Sequence, residues 1–254
     1  MIAWTQGHGP ARVMGLHGWF GTGQSFGDTV QWLDQDVYTF VAPDYRGYGT
    51  RKDVPGKYTV EEIASDMFDV ADSLGWDTFD LVGHSMGGKV AQLMLAGQPA
   101  RIRKVVGVTP VPPVPLPFDE QTFQVFRGAA RDPQLRAAII GGSMGDAHCA
   151  SVTGRLVAQS LSGSRAEAVA GYLESWAGDD FSGQVAGQDA PILVVVGERD
   201  NALTAEVMRQ ALLPFYPNAQ MTVLPSCGHY PIHETPAALA TAIDAFLNPA
   251  TSER

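Results

Sequence analysis

The chain is poor in cysteine: Cys149 and Cys227 are the only two in 254 residues, and they lie far apart. That excludes a disulfide framework, and both are expected as reduced, buried thiols. Basic residues are scarce as well. Seventeen Lys and Arg stand against 27 Asp and Glu, a formal net charge of −10. No Lys/Arg cluster appears, which argues against nucleic acid or an anionic membrane as the main partner. No stretch of about 18 apolar residues exists, so no membrane span is expected. The opening residues, MIAWTQGHGPARV, lack a basic segment followed by an apolar run, so no signal peptide is expected. What is left is a cytoplasmic, soluble protein with a small-molecule substrate. Its oligomeric state stays open between monomer and homodimer.

What is present is alternation. Apolar runs bounded by turn residues recur at 11–18, 37–49, 79–85, 102–110, 190–200 and 219–225, and each reads as a strand. Helical patterns fall between them. In YTVEEIASDMFDVADSLG the apolar residues Ile63, Met67, Val70, Ala71 and Leu74 share one helical face, and Gly75 supplies a stop. Strands that alternate with helices imply an α/β fold: a mostly parallel central sheet flanked by helices. The unbroken apolar run ILVVV fits a strand buried on both faces.

The alternation fails once. TPVPPVPLPFD, residues 109–119, is too rich in proline for a central strand or a helix interior. From there to about 187 the chain reads as short helices only. The expected division is a core of 1–110 and 188–254 with a helical cap insertion over 111–187.

One stretch carries chemistry. Gly83-His84-Ser85-Met86-Gly87 is G-x-S-x-G between a predicted strand and a predicted helix, the context that motif requires. A sharp turn there would raise the Ser85 hydroxyl above the strand ends, and the small residues two before and two after would avoid collision. A serine is a weak nucleophile until a base takes its proton. His229, in the loop after the last strand, lies on the same edge; His233, four residues on, is its rival. The imidazole needs a carboxylate. Asp200 ends the strand VVVGERD, and Glu198 is the alternative. Thr109-Pro110 closes the third route, an acid after the strand 102–110. An oxyanion needs backbone N–H donors, for which Met86 and Trp19 are the candidates. No metal or cofactor is called for.

With these motifs in view, the chain resembles the α/β-hydrolase superfamily over essentially its whole length. LHGW looks like that family's oxyanion loop, GHSMGG its nucleophile elbow, and GERD and CGHYPIHETP its acid and histidine loops. The order Ser, Asp, His is the family order. The resemblance implies Ser85 as nucleophile, Asp200 as acid, His229 as base, and Trp19 and Met86 as oxyanion donors. It also implies that the first strand of the family's eight-stranded sheet is absent or very short. Phe20 stands where perhydrolase-like members carry proline. His84 and Tyr230 stand where carbon–carbon bond hydrolases tend to carry Asn and Trp.

The implied activity is that of a serine hydrolase, an esterase or lactonase working through an acyl-enzyme. A carbon–carbon bond hydrolase on the same triad is one alternative, and a non-catalytic receptor or regulator on the same scaffold another. Phe118, Phe123, Phe126, Met144, Leu156, Trp176 and Tyr230 are candidate pocket residues, or else they pack the cap on the core. Arg127, Arg131 and Arg155 could bind a substrate carboxylate or stand solvated.

Overall fold

Seven strands form one sheet in this computed structural model, which describes residues 2–146 and 148–248. They are β1 (Ile2–Gln6), β2 (Ala11–Leu16), β3 (Tyr38–Pro43), β4 (Phe79–His84), β5 (Ile102–Val108), β6 (Ile192–Gly197) and β7 (Ala219–Leu224). Their order across the sheet is β1-β3-β2-β4-β5-β6-β7. All neighbours are parallel except β1, which runs antiparallel along the edge of β3. The sequence reading marked no strand before Ala11, because IAWTQ is too short to carry a periodic signal. Strands β4 and β6 are buried at every residue, as a strand covered on both faces must be.

Helices Val60–Ser73 and Met86–Gly97 pack with the apolar cluster on one face of the sheet; helix Pro236–Leu247 packs with the cluster on the other. The first helix begins where Thr59 Oγ1 accepts from Glu62 N–H and stops at Gly75, whose φ of +65° few residues other than glycine adopt. The strand order reverses direction between β2 and β4. Crevices at such a switch, beyond the carboxyl ends of the strands, are where open α/β sheets bind ligands.

Between β5 and β6 the chain builds helices Glu120–Gly128, Pro133–Ser143, Ala150–Gly163 and Ala166–Gly178 and a short turn, Ser182–Val185. Asp119 and Asp132 cap the first two of these. The segment meets the sheet edge at several points: Trp19 Nε1–H donates to Val169 O (2.8 Å), Tyr172 Oη–H to Arg46 O (3.1 Å) and Arg165 N–H to Gly47 O (2.9 Å). Its two ends return side by side. Leu116 N–H donates to Ala177 O (2.8 Å), and Phe181 N–H to Pro113 O (3.0 Å). Both ends are held by Lys89, fully buried on helix Met86–Gly97, whose Nζ donates to Val114 O (3.3 Å) and Asp179 O (2.6 Å).

Both cysteines are free thiols. Cys227 is buried as expected, but Cys149 is exposed, because it precedes the first turn of helix Ala150–Gly163 instead of facing its packed side. Among the described residues no helix is long and apolar enough to cross a membrane.

Candidate active site

Ser85 leaves the end of β4 with φ 54° and ψ −116°, a conformation L-residues rarely hold. The backbone around it is fully tied. Its N–H donates to Val108 O (2.9 Å), and its carbonyl accepts from Gly88 N–H (2.8 Å) and Val111 N–H (3.1 Å). A Cβ on Gly87 would collide with the Leu16 carbonyl, and one on Gly83 with the Gly87 carbonyl. The glycines are therefore the steric condition for the turn.

His229 bridges the serine and a carboxylate. Ser85 Oγ lies 2.9 Å from His229 Nε2, and Asp200 Oδ2 lies 2.7 Å from His229 Nδ1. With Nδ1–H donating to the carboxylate, Nε2 is left to accept the serine proton. Asp200 Oδ1 also accepts from Ala202 N–H and Leu203 N–H, each at 3.0 Å. Burial alone would raise the Asp200 pKa, but the His229 contact and these two amides outweigh it and hold the carboxyl below its ordinary value.

The histidine loop is braced from several sides. His229 N–H donates to Ser143 O (2.9 Å). Its carbonyl accepts from His84 Nε2 (2.8 Å) and Thr109 Oγ1 (3.0 Å). Glu234 accepts from Gly228 N–H (2.9 Å) and Tyr230 N–H (2.8 Å), and it pairs with His148 (2.8 Å). Glu234 is not among the candidates the motifs point to, and Thr109 figures there only as closing a third place for the acid. The acidic residue in HETP, five after His229, was the available signal for Glu234.

The register Leu16↔Gly83 sets the loop after β2 beside the serine turn. Trp19 N–H and Met86 N–H have no acceptor among the described residues. The Trp19 ring is a core aromatic, stacked with Phe20 (centroids 4.1 Å) and Phe126 (5.7 Å).

The other candidates are occupied elsewhere. Glu198 is exposed and accepts from Ser226 N–H (2.9 Å). His233 meets Asp28 (3.2 Å). Burial pushes His17 down to about 4 and His84 down to about 3, so both rings are neutral near pH 7. Among the described residues no group of three or more His, Cys, Asp or Glu gathers as a metal site would require.

Ser85 opens into a cavity of about 960 Å³ whose wall includes Phe118, Phe126, Leu156, Trp176 and Tyr230. Phe123 and Met144 are not in that wall. Phe123 packs edge-on to Phe118 and under the Arg127 guanidinium, and Met144 is buried against Gly228. Helical spacing alone could not separate a face turned to the cavity from one turned to the neighbouring helix. Arg127 and Arg131 pair with Glu174 (2.7 Å) and Glu167 (3.2 Å), away from the cavity; Arg155 lines it.

Residues 13–242 match the model of the alpha/beta hydrolase family. The human serine hydrolase-like protein is 34% identical over 106 residues, 41% of this chain and 51% of that protein, so the match spans about half of that relative's length. Esterase YbfF of Escherichia coli (strain K12) is 25% identical over 259 residues, covering 95% of this chain and 94% of the esterase. Among solved structures, the bromoperoxidase from Bacillus anthracis is similar with a TM-score of 0.84 at 21% identity, covering 96% of this chain and 94% of that one. That likeness is one of fold. The family match takes in most of β2, every strand from β3 to β7 and the loops that carry Ser85, Asp200 and His229, and the chain belongs to the alpha/beta hydrolase family.

Proposed function

We propose that the protein is a serine hydrolase that cleaves a carboxylic ester or lactone through an acyl-enzyme. The observation that carries this reading is the hydrogen-bonded line from Ser85 Oγ to His229 (2.9 Å) to Asp200 (2.7 Å) at the floor of the cavity. Ser85 Oγ attacks the carbonyl carbon while His229 Nε2 takes its proton. Asp200 fixes the tautomer and stabilises the imidazolium. Trp19 N–H and Met86 N–H receive the oxyanion, a contribution of about 3 kcal/mol per donor. The imidazolium then protonates the departing alkoxide. Water, deprotonated by His229, attacks the acyl-enzyme and releases the acid.

In this reading residues 111–187 form a cap over a core of 1–110 and 188–254, and its aromatic residues select the substrate. An esterase among the relatives, similar over almost the whole chain, agrees with the ester assignment.

The test is Ser85→Ala with p-nitrophenyl butyrate. Turnover should fall by at least about 10³-fold with the thermal midpoint kept. A fluorophosphonate probe should label the wild type at Ser85 and nowhere else. Full turnover in the variant would overturn the proposal.

A further inference from the structure

Five arginines stand on the segment between β5 and β6, and it has no lysine. Four of the five are engaged. Arg127 pairs with Glu174, Arg131 with Glu167 and Arg165 with Asp53. Arg136 is buried and donates to Ala129 O, Ala130 O, Ser160 Oγ and Ser164 Oγ. Arg155 has no hydrogen-bonded or ion-paired partner among the described residues, and among them it is the only Lys or Arg in the cavity wall.

Its direction follows from helix geometry. Val152, Arg155, Leu156, Gln159 and Ser162 line the cavity, a spacing of three and four that makes one face of helix Ala150–Gly163. Val157 and Ser160, on another face, are buried. Arg155 is therefore on the face turned to the cavity.

The two carboxylates of the same wall are hydrogen-bonded elsewhere. Asp44 is held by Gly23 N–H (2.8 Å) and Thr50 N–H (2.7 Å), and Asp28 meets His233 (3.2 Å), whose pKa burial lowers, so both carboxylates keep their charge. The wall thus presents one unmatched guanidinium with Gln159 one turn along, while Trp19, Phe118, Phe126 and Trp176 make the apolar part. A single guanidinium, with Asp28 in the same wall, suits one negative charge better than two.

We propose that the cavity selects esters carrying a second group that is a carboxylate, such as half-esters of dicarboxylic acids, and that Arg155 binds that carboxylate. The inference rests on the ester-hydrolase reading for its chemistry and on Arg155 for its selectivity. The aliphatic chain between ester and carboxylate lies along the apolar wall.

The test uses a matched pair, monomethyl adipate and methyl hexanoate. For the wild type, kcat/KM should favour the half-ester by about fivefold, the worth of one partly solvated ion pair. Arg155→Gln should bring that ratio to about one or below, Arg155→Lys should keep most of it, and added salt should lower it. A ratio unchanged in Arg155→Gln, or a wild type that prefers methyl hexanoate, overturns the proposal.

Calorimetry separates the two readings. Ser85→Ala protein should bind monomethyl adipate more tightly than Ser85→Ala/Arg155→Gln protein, again by about fivefold. If neither ester is turned over but that difference holds, the hydrolase reading falls and the carboxylate site stands. Equal binding by the two proteins removes the carboxylate site alone.

Discussion

At the scale of single residues, the backbone of Ser85 is the costly feature. A residue held at φ 54° stores on the order of 1–3 kcal/mol, and the glycines around it make that conformation possible. Gly87→Ala would drive a methyl group into the Leu16 carbonyl. We expect a loss of about 3 kcal/mol in urea unfolding, well beyond an ordinary glycine-to-alanine change in a helix. Asp200→Asn should leave folding intact but lower kcat by about 10²–10⁴-fold, since the wrong tautomer of His229 would face Ser85. A smaller loss would show that another group orients the imidazole. The meeting of Ser85, Asp200 and His229 was legible in sequence because each stands within a few residues of the carboxyl end of a recognisable strand. Gly228 shows where that reading ends. A glycine just before the histidine suggests a loop that needs conformational freedom, yet Gly228 does not take up a positive φ; a Cβ there would lie 2.6 Å from Met144 Cα. The glycine is needed for close approach by a backbone arriving from another part of the chain, and spacing along one loop carries no trace of that.

At the scale of elements, helix Pro133–Ser143 does more than roof the cavity. Its last carbonyl holds His229 N–H, and the residue after it presses on Gly228. Gly228→Ala should therefore move the histidine loop, lowering kcat by about tenfold or more through a misplaced base while the sheet stays folded. Near-wild-type kcat would mean that the loop does not depend on this contact. Lys89 gives a second expectation. Burial pushes its pKa down to about 8 from 10.5, with Asp179 and Asp180 opposing. Between those two values the unfolded chain holds a proton that the folded chain has released, so this residue's contribution to stability grows as pH rises through the window. Urea unfolding of wild type and Lys89→Met at pH 7.5 and pH 10 should show the comparison shifting toward the wild type by about 2–3 kcal/mol at the higher pH. A difference that does not change with pH would place the titration elsewhere. Helices and strands were legible because their apolar periods are long. The exact wall of the cavity was not, because Phe123 and Phe126 differ by less than one helical turn and both pack on Phe118, yet only Phe126 reaches Trp19 and Trp176 and lines the cavity.

At the scale of the whole molecule, the site draws on both the sheet and the segment between β5 and β6. The reversal between β2 and β4 sets the loop after β2 against the serine turn, and β6 and β7 deliver Asp200 and the His229 loop to the same edge. That convergence was readable from the order of motifs. The volume above Ser85 was not, since it is made by helices placed by packing and hydrogen bonds between residues far apart in the chain. A cavity of about 960 Å³ with a large aromatic wall should reward longer acyl chains. Across p-nitrophenyl esters, kcat/KM should rise from acetate to hexanoate by several-fold per pair of carbons, within the ceiling of about 0.8 kcal/mol per buried methylene. A maximum at acetate would show that the acyl group does not lie in this space.

The paired ends of the segment between β5 and β6 have one more consequence. Because Leu116 meets Ala177 and Phe181 meets Pro113, the helical part of this segment begins and ends at almost the same place. A piece of different length or sequence could be spliced in there without altering the spacing of any strand. A designer could graft a foreign segment between Pro113 and Phe181 by that cut, changing the upper wall of the cavity while the strands stay as they are.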